Sequence, residues 1–207
     1  MNTFKSIYLA SRSTQRRDLL SQMGVNFETL VLREGYQGDG GFDETPEVSE
    51  RPLAYVKRVA KIKAIAGWEL SQRRQLLSYP VLAADTTVGL GDYILGKPKD
   101  QEDAVETIRK LAGKPHFVHT AVALKTGDGI FETFSSTEVT FAHLEDEEIR
   151  RYVALGESYG RAGAYAIQGK ANIFTVKVSG SYSGVVGLPV FETFELLKSQ
   201  GLLTKTK

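Results

Sequence analysis

The run Tyr79–Asp100, YPVLAADTTVGLGDYILGKPKD, constrains this chain more than any other stretch. Val81, Leu82, Ala83 and Ala84 form a short apolar run that predicts a buried strand. The run ends on a carboxylate, Asp85, expected at the strand's exit. Two threonines follow, then Gly89 and Gly91, which predict a hairpin with Lys97 on its far side. Ligands of α/β sheets gather at the C-terminal edges of the strands, which makes Asp85 a candidate site residue. Asp85 also suits a turn cap that accepts backbone N–H groups, and both roles stand at this point.

Around this run, strand and helix patterns alternate. Ser6–Ala10 reads as a first strand, and Arg16–Met23 as a helix with Leu19, Leu20 and Met23 on one side and Gly24 as its stop. The polar cluster Ser11–Thr14 lies between them. A strand feeding straight into a helix directs free N–H groups and the positive end of the helix dipole at one spot, together with Arg16 and Arg17. That suits a phosphate; an ordinary N-cap at Ser13 with solvated arginines is the plainer alternative. Phe27–Arg33 reads as a second strand. Glu34–Glu50 is a long glycine- and acid-rich loop in which Asp43 and Glu44 are the carboxylates to follow.

Pro52 opens a helix that carries Val56, Val59, Ala60, Lys63 and Ala64 at helical spacing, with Gly67 expected to weaken it. Lys63 sits among small apolar residues, so it either reaches a pocket or snorkels to solvent. Asp100 caps a further helix that ends at Gly113. Phe117–Lys125 and Ile130–Leu144 form an antiparallel pair around the turn Thr126–Gly129. Glu145–Leu155 has the charge pattern of a surface helix. Ile173–Val178 reads as a strand, and Val190–Ser199 as a last helix opened by Pro189. The strand lies within a glycine-rich segment, Gly160–Pro189, that also contains Gln168, whose amide can serve a base edge or simply tie down a loop.

Composition narrows the chemistry. Lys and Arg number 26 against 25 Asp and Glu, so no global field points to nucleic acid or a membrane surface, and an anionic ligand needs a local cluster of cations. With no cysteine and three histidines, thiol catalysis, disulfides and Cys- or His-rich metal centres are excluded or disfavoured. The first eleven residues hold too few apolar positions for a signal peptide or a membrane span, which makes a cytoplasmic location the expectation. The length suits one domain over residues 1–207.

Five pieces together resemble the Maf family of nucleoside triphosphate pyrophosphatases: LASRSTQRR (Leu9–Arg17), AYVKRVAKIKA (Ala54–Ala64), AADTTV (Ala83–Val88), LGKP (Leu95–Pro98) and AGAYAIQG with GSYSGVVGLP (within Ala162–Pro189). The order is right and nearly the whole chain is covered. The resemblance implies an elongated α/β fold, a mixed twisted sheet with flanking helices forming two lobes around a central cleft. It implies a house-cleaning hydrolase that splits a nucleoside triphosphate into monophosphate and pyrophosphate with a divalent cation (Mg2+, Mn2+ or Co2+), and a possible homodimer.

Position by position, Asp85 matches the proton acceptor, Ser11 and Arg16 the phosphate-binding turn, and Lys63 and Lys97 the two lysines of the site. Glu44 matches the acidic residue of the variable loop, a metal partner for Asp85. Gln168 and Thr86 match the branch acting on dTTP and UTP rather than 7-methyl-GTP. The chain departs from the family's Ser-Pro-Arg-Arg, having Ser13-Thr14-Gln15-Arg16, and Gln15 falls at a position linked to base choice. A non-hydrolysing, nucleotide-binding regulator of septum formation is the rival from another class.

Overall fold

The computed structural model describes residues 3–34 and 41–204. In chain order the strands are β1 (Thr3–Phe4), β2 (Ile7–Leu9), β3 (Phe27–Thr29), β4 (Arg33–Glu34), β5 (Gly41–Phe42), β6 (Val81–Leu90), β7 (Tyr93–Leu95), β8 (Pro115–Lys125), β9 (Ile130–Phe141), β10 (Thr175–Ser179) and β11 (Leu203–Thr204). The helices are α1 (Thr14–Gln22), α2 (Pro52–Arg73), α3 (Gln101–Leu111), α4 (Asp146–Ala154), α5 (Tyr182–Val186) and α6 (Val190–Ser199). Seven strands make one mixed sheet in the order β10-β9-β8-β6-β2-β3, with β7 also paired to β6. β2 runs parallel to β3 and β6, whereas β8, β9 and β10 continue antiparallel.

The period-2 alternation of β6 decides which helix each residue meets. Val81 and Ala83 point toward α2, in a core layer with Tyr8, Ala10, Val56, Ala60, Ala64 and Leu70. Leu82 and Ala84 point the other way, into a layer with Ile7, Leu9, Leu20, Leu188 and Leu197. A third core lies farther along the sheet, where α3 and α4 pack on Val88, Val118, Val139 and Phe141. Each fully buried Leu in these layers contributes about 2 kcal/mol by removal from water. Two of the cores sandwich one end of the sheet and the third fills the other end. The result is two lobes with a cleft between them.

Several expectations hold at residue level. Asp100 caps α3 by accepting the Asp103 N–H at 2.8 Å, and Gly113 past its end takes φ +70°, a left-handed conformation that favours glycine. α6 spans Val190–Ser199 as its spacing predicts.

Others are corrected. Asp85 is not at a strand exit: β6 continues to Leu90, and Asp85 lies opposite Ala121 of β8 in mid-strand. Gly89 belongs to that strand and not to the turn, paired with Ile94 on one side and Phe117 on the other, and a Cβ there would approach the Pro52 ring to 2.9 Å; the hairpin turns at Gly91. Gly67 does not interrupt α2. It lets the helix settle on the sheet, since a Cβ would stand 2.8 Å from Val81 Cγ1 and 3.0 Å from Ala10 Cβ. The second strand is short, ending at Thr29, and β10 starts at Thr175 because Lys170–Phe174 form a 3-10 turn. Of the long acidic loop, residues 35–40 lie outside the described residues; β5 and the stretch to Arg51 follow.

Candidate active site

The cleft has a simple origin in strand pairing. One edge of β6 is hydrogen-bonded to β8 from Val81 to Gly89. Its other edge is covered by β2 only at Val81 and Leu82, and by β7 only from Val88 onward. Between them, among the described residues, Ala83–Thr87 have no neighbouring strand on that side. β2 ends there and delivers Ser11–Ser13 and the N-terminus of α1. β2 stops at Leu9 while β6 runs on past the gap to Leu90, so the gap lies at the C-terminal end of β2, the kind of edge where open α/β sheets bind ligands. A cleft of about 560 Å³ opens at this gap.

On the α2 side, Asp85 meets Lys63. The Lys63 ammonium donates to Asp85 Oδ1 at 2.7 Å and to Glu44 Oε2 at 2.8 Å. The side chains of Lys63, Glu44 and Asp85 are only 10%, 11% and 10% exposed. The Phe42 ring stands 5.2 Å from the same ammonium. Charges this far from water persist only when paired and hydrogen-bonded. So Lys63 reaches a pocket and does not snorkel. Lys97, 58% exposed, lies 3.9 Å from Glu44 Oε1 at the mouth. Asp43, the other loop carboxylate, turns outward and accepts the Thr45 N–H at 2.8 Å as a local turn.

On the opposite side, Thr86 meets Arg16. The Arg16 guanidinium donates through Nη2 to Thr86 Oγ1 (3.1 Å), through Nε to the Gly187 carbonyl (2.8 Å) and through Nη1 to Ser11 Oγ (3.4 Å). Burial lowers the Arg16 pKa from its ordinary value, and the nearby Asp85 and Glu44 charges oppose that shift. Arg16 stays a cation. Ser13 is the N-cap of α1: its Oγ accepts the Arg16 N–H at 3.3 Å and donates to Gln15 Oε1 at 3.1 Å. Arg17, expected beside Arg16, is exposed and does not line the cleft, because one helical step carries it around the helix.

Gln168 lines the far lip of the cleft. Its loop is pinned by Glu157, which accepts the Lys170 N–H at 2.8 Å, and by Tyr152, whose hydroxyl accepts the Ala166 N–H at 3.3 Å. A Cβ on Gly169 would stand 2.2 Å from Glu157 Oε2, so glycine is required for that clamp. The structure thus brings Ser11, Gln15, Arg16, Glu44, Lys63, Asp85, Thr86, Lys97 and Gln168 to one cleft.

Sequence reasoning passed over Arg12 and Arg161, which also line it. Arg12 donates to the Leu32 carbonyl at 3.0 Å. Both sit inside stretches already singled out, the Ser11–Thr14 cluster and the Gly160 segment, and a search for cations there would have found them. Five cations then face two carboxylates, Asp85 and Glu44. The surplus is positive although the chain as a whole is near neutral. The histidines lie elsewhere: burial pushes the His116 pKa down to about 4, and its Nε2 pairs with the Tyr165 hydroxyl at 2.9 Å.

Among the described residues no three His, Cys, Asp or Glu side chains converge. Glu44 and Asp85 do converge, held at present by one ammonium. Mg2+ is ordinarily bound by one or two carboxylates plus waters and substrate phosphates, so the pair fits an ion that arrives with a nucleotide.

Residues 6–200 match the family described as Maf-like protein. The chain belongs to the Maf-like family. It is 50% identical over 195 residues to the dTTP/UTP pyrophosphatase of Dechloromonas aromatica (strain RCB), covering 94% of this chain and 97% of that relative. It is also 50% identical over 196 residues to the dTTP/UTP pyrophosphatase of Aromatoleum aromaticum (strain DSM 19018 / LMG 30748 / EbN1), covering 94% and 95%. Among solved structures it is similar to the Ham1 protein of Staphylococcus aureus at 15% identity and TM-score 0.44, over 67% of this chain and 72% of that one. In this Maf-like chain no described helix is long and apolar enough to cross a membrane.

Proposed function

We propose that this protein is a nucleoside triphosphate pyrophosphatase that converts dTTP and UTP to the monophosphate and pyrophosphate. One observation carries the reading: four separate segments of the chain deliver an excess of cations, and one strand-borne carboxylate, to the same gap beside β6. Relatives that match nearly the whole chain and are named for dTTP and UTP support the choice of substrate. The nucleotide reading also suits the expected cytoplasmic setting.

A triphosphate carries about four negative charges, which repel an incoming water, so catalysis is chiefly neutralisation and positioning. Arg16, with three of its five donors fixed on protein oxygens, presents the remaining N–H groups to phosphate oxygens. Lys97 and Arg161 close on the chain of phosphates from the opposite lip. Lys63 exchanges part of its carboxylate contacts for phosphate contacts. Asp85, so released, accepts the proton of the water whose oxygen attacks the α-phosphorus; the α–β bridging P–O bond breaks and pyrophosphate leaves. A divalent cation held by Glu44 and Asp85 supplies charge neutralisation at the phosphate oxygens when bound. At the far lip, Gln168 offers a carbonyl and an NH2 to the pyrimidine edge, and Gln15, its Oε1 held by Ser13, turns its NH2 to the ligand. Thr86 holds Arg16 and so acts on the phosphates that every nucleoside triphosphate shares.

The test is pyrophosphate release from a nucleotide panel with Mg2+, Mn2+ and Co2+. Turnover of dTTP and UTP with pyrophosphate as the sole phosphorus co-product is expected. Orthophosphate release, preference for 7-methyl-GTP, or tight binding without turnover would each overturn the reading, the last in favour of a regulator.

A further inference from the structure

We propose that Thr120 is a positioning residue of this cleft, one that acts through Thr86 to fix the Arg16 guanidinium for phosphate. This rests on the nucleotide reading above. Thr120 lies on β8 directly opposite Thr86 in the antiparallel register, and its side chain is 0% exposed. It does not line the cleft and touches no ligand space.

Its role follows from counting protons. The Thr120 hydroxyl has one proton and donates it to the Gly184 carbonyl of α5 at 2.7 Å. The Thr86 and Thr120 oxygens are 2.9 Å apart, so the proton between them belongs to Thr86. Thr86 therefore spends its only donor inward and presents lone pairs alone toward the cleft. Those lone pairs face the Arg16 Nη2 at 3.1 Å. Every hydrogen bond in the series runs one way: Arg16 to Thr86, Thr86 to Thr120, Thr120 to Gly184.

The series closes on itself. Arg16 Nε donates to the carbonyl of Gly187, one turn beyond Gly184. The short helix is thus gripped at one carbonyl by Thr120, and the glycine just past its C-terminus by Arg16. α5 is seated closely on the sheet at this point, since a Cβ on Gly184 would stand 2.3 Å from Ser135 Oγ. Without the Thr120 hydroxyl, the Thr86 proton has no inward acceptor and turns outward. It then meets Arg16 proton to proton or competes with it for phosphate. The guanidinium plane loses one of its two strong anchors, and a misplacement on this scale is felt in binding geometry.

Four variants test this: Thr120→Val, which keeps shape and removes the hydroxyl; Thr120→Ser, which restores it; Thr86→Val; and Thr86→Val combined with T120V. For dTTP, T120V is expected to raise KM about tenfold with a smaller fall in kcat, the loss of one hydrogen bond to a charged group. T120S should return KM to within about twofold of the parent. In the T86V background T120V should add little, because the link it breaks is already gone. Inorganic pyrophosphate binding, measured by calorimetry, should weaken in parallel in T120V.

Unchanged KM and pyrophosphate affinity in T120V would overturn the proposal. So would a full additional loss in the T86V background, or failure of T120S to rescue. If the unmatched methyl prevents T120V from folding, Thr120→Ala is put through the same measurements. Should the parent protein turn over no nucleotide while pyrophosphate binding still falls in T120V and recovers in T120S, the enzyme reading fails and the positioning role stands.

Discussion

Asp85 and Thr86 are neighbours on one strand, yet they face opposite walls of the cleft, and the two walls are built on different physics. The wall under α2 is a knot of full charges, with Lys63 between Glu44 and Asp85. The wall under α1 and α5 is a ring of dipoles around one guanidinium, Arg16–Thr86–Thr120–Gly184 and back through Gly187. Charges at close quarters stabilise one another only while paired, so the first wall gains most when a ligand offers new partners. The bonds of the ring are internal and need not be exchanged when Arg16 offers its remaining N–H groups to a phosphate, so this wall stays rigid. One wall responds to the ligand and the other holds it still. The comparison teaches that strand parity, the cheapest pattern in a sheet, can give a single site both properties.

The sharpest way to break this comparison is Asp85→Asn. The amide keeps size and hydrogen bonds but neither accepts the proton nor balances Lys63. A fall of about a thousandfold in kcat is expected, with the far-UV circular dichroism unchanged. Pyrophosphate release within tenfold of the parent would remove Asp85 from the chemistry and leave the first wall as mere scaffolding.

Lys63→Met comes next. It leaves Glu44 and Asp85 nearly buried and facing each other without the ammonium. Unfolding by urea should show a loss of about 3 kcal/mol, and kcat should drop about a hundredfold. If the two carboxylates are as suited to a cation as their convergence suggests, Mg2+ alone should now stabilise the variant. At a hundredfold excess over Kd the gain is about 2.7 kcal/mol, while the parent, whose lysine occupies the place, gains little. Equal metal responses in parent and variant would mean that the knot is not exchangeable.

How much of this was legible beforehand differs between the walls. The helices α3 and α6 carry their boundaries in local signals, an Asp cap with a trailing Gly and a proline start. The charged wall was half legible: the residue pattern marked Asp85 and Lys63 but left a turn cap and a snorkelling lysine open, and the family resemblance assigned them to the site. What could not be read was where Asp85 sits along its strand. That depends on β2 leaving β6 after Leu82, a pairing between residues some seventy positions apart. Residue pattern alone could not separate Glu44 from Asp43, which only the resemblance did, since adjacent loop carboxylates differ only in which one the tertiary fold turns inward. The dipole wall was the least legible. Thr120 looks like any strand threonine until its register with Thr86 is known. Gly67 and Gly89 read as breakers for the same reason: the close approach each permits is made to a distant segment.

Arg16→Lys probes the rigid wall directly. Lysine retains the charge but cannot donate to Gly187, Thr86 and a phosphate from one planar group. KM for dTTP should rise about tenfold while kcat falls less, and T120V should lose most of its own effect in that background. A variant as good as the parent would show that charge alone suffices there and that the hydrogen-bonded ring is ornamental.

The smallest effect belongs to Lys97, which stands outside both walls. Its side chain is 58% exposed and its 3.9 Å approach to Glu44 is too long for a strong pair, so solvent and salt screen it. Lys97→Ala should raise KM about threefold at low ionic strength, lower kcat slightly, and leave stability unchanged. The penalty should shrink as KCl rises from 20 to about 300 mM, because the Debye length then falls below the distance over which the ammonium attracts the triphosphate. Lys63→Met should show no such relief, its partners being shielded from the salt. If the two lysines respond to salt alike, then either Lys97 is drawn inward when nucleotide binds or the knot is wetter than its burial implies, and the division between a responsive interior and a screened mouth fails.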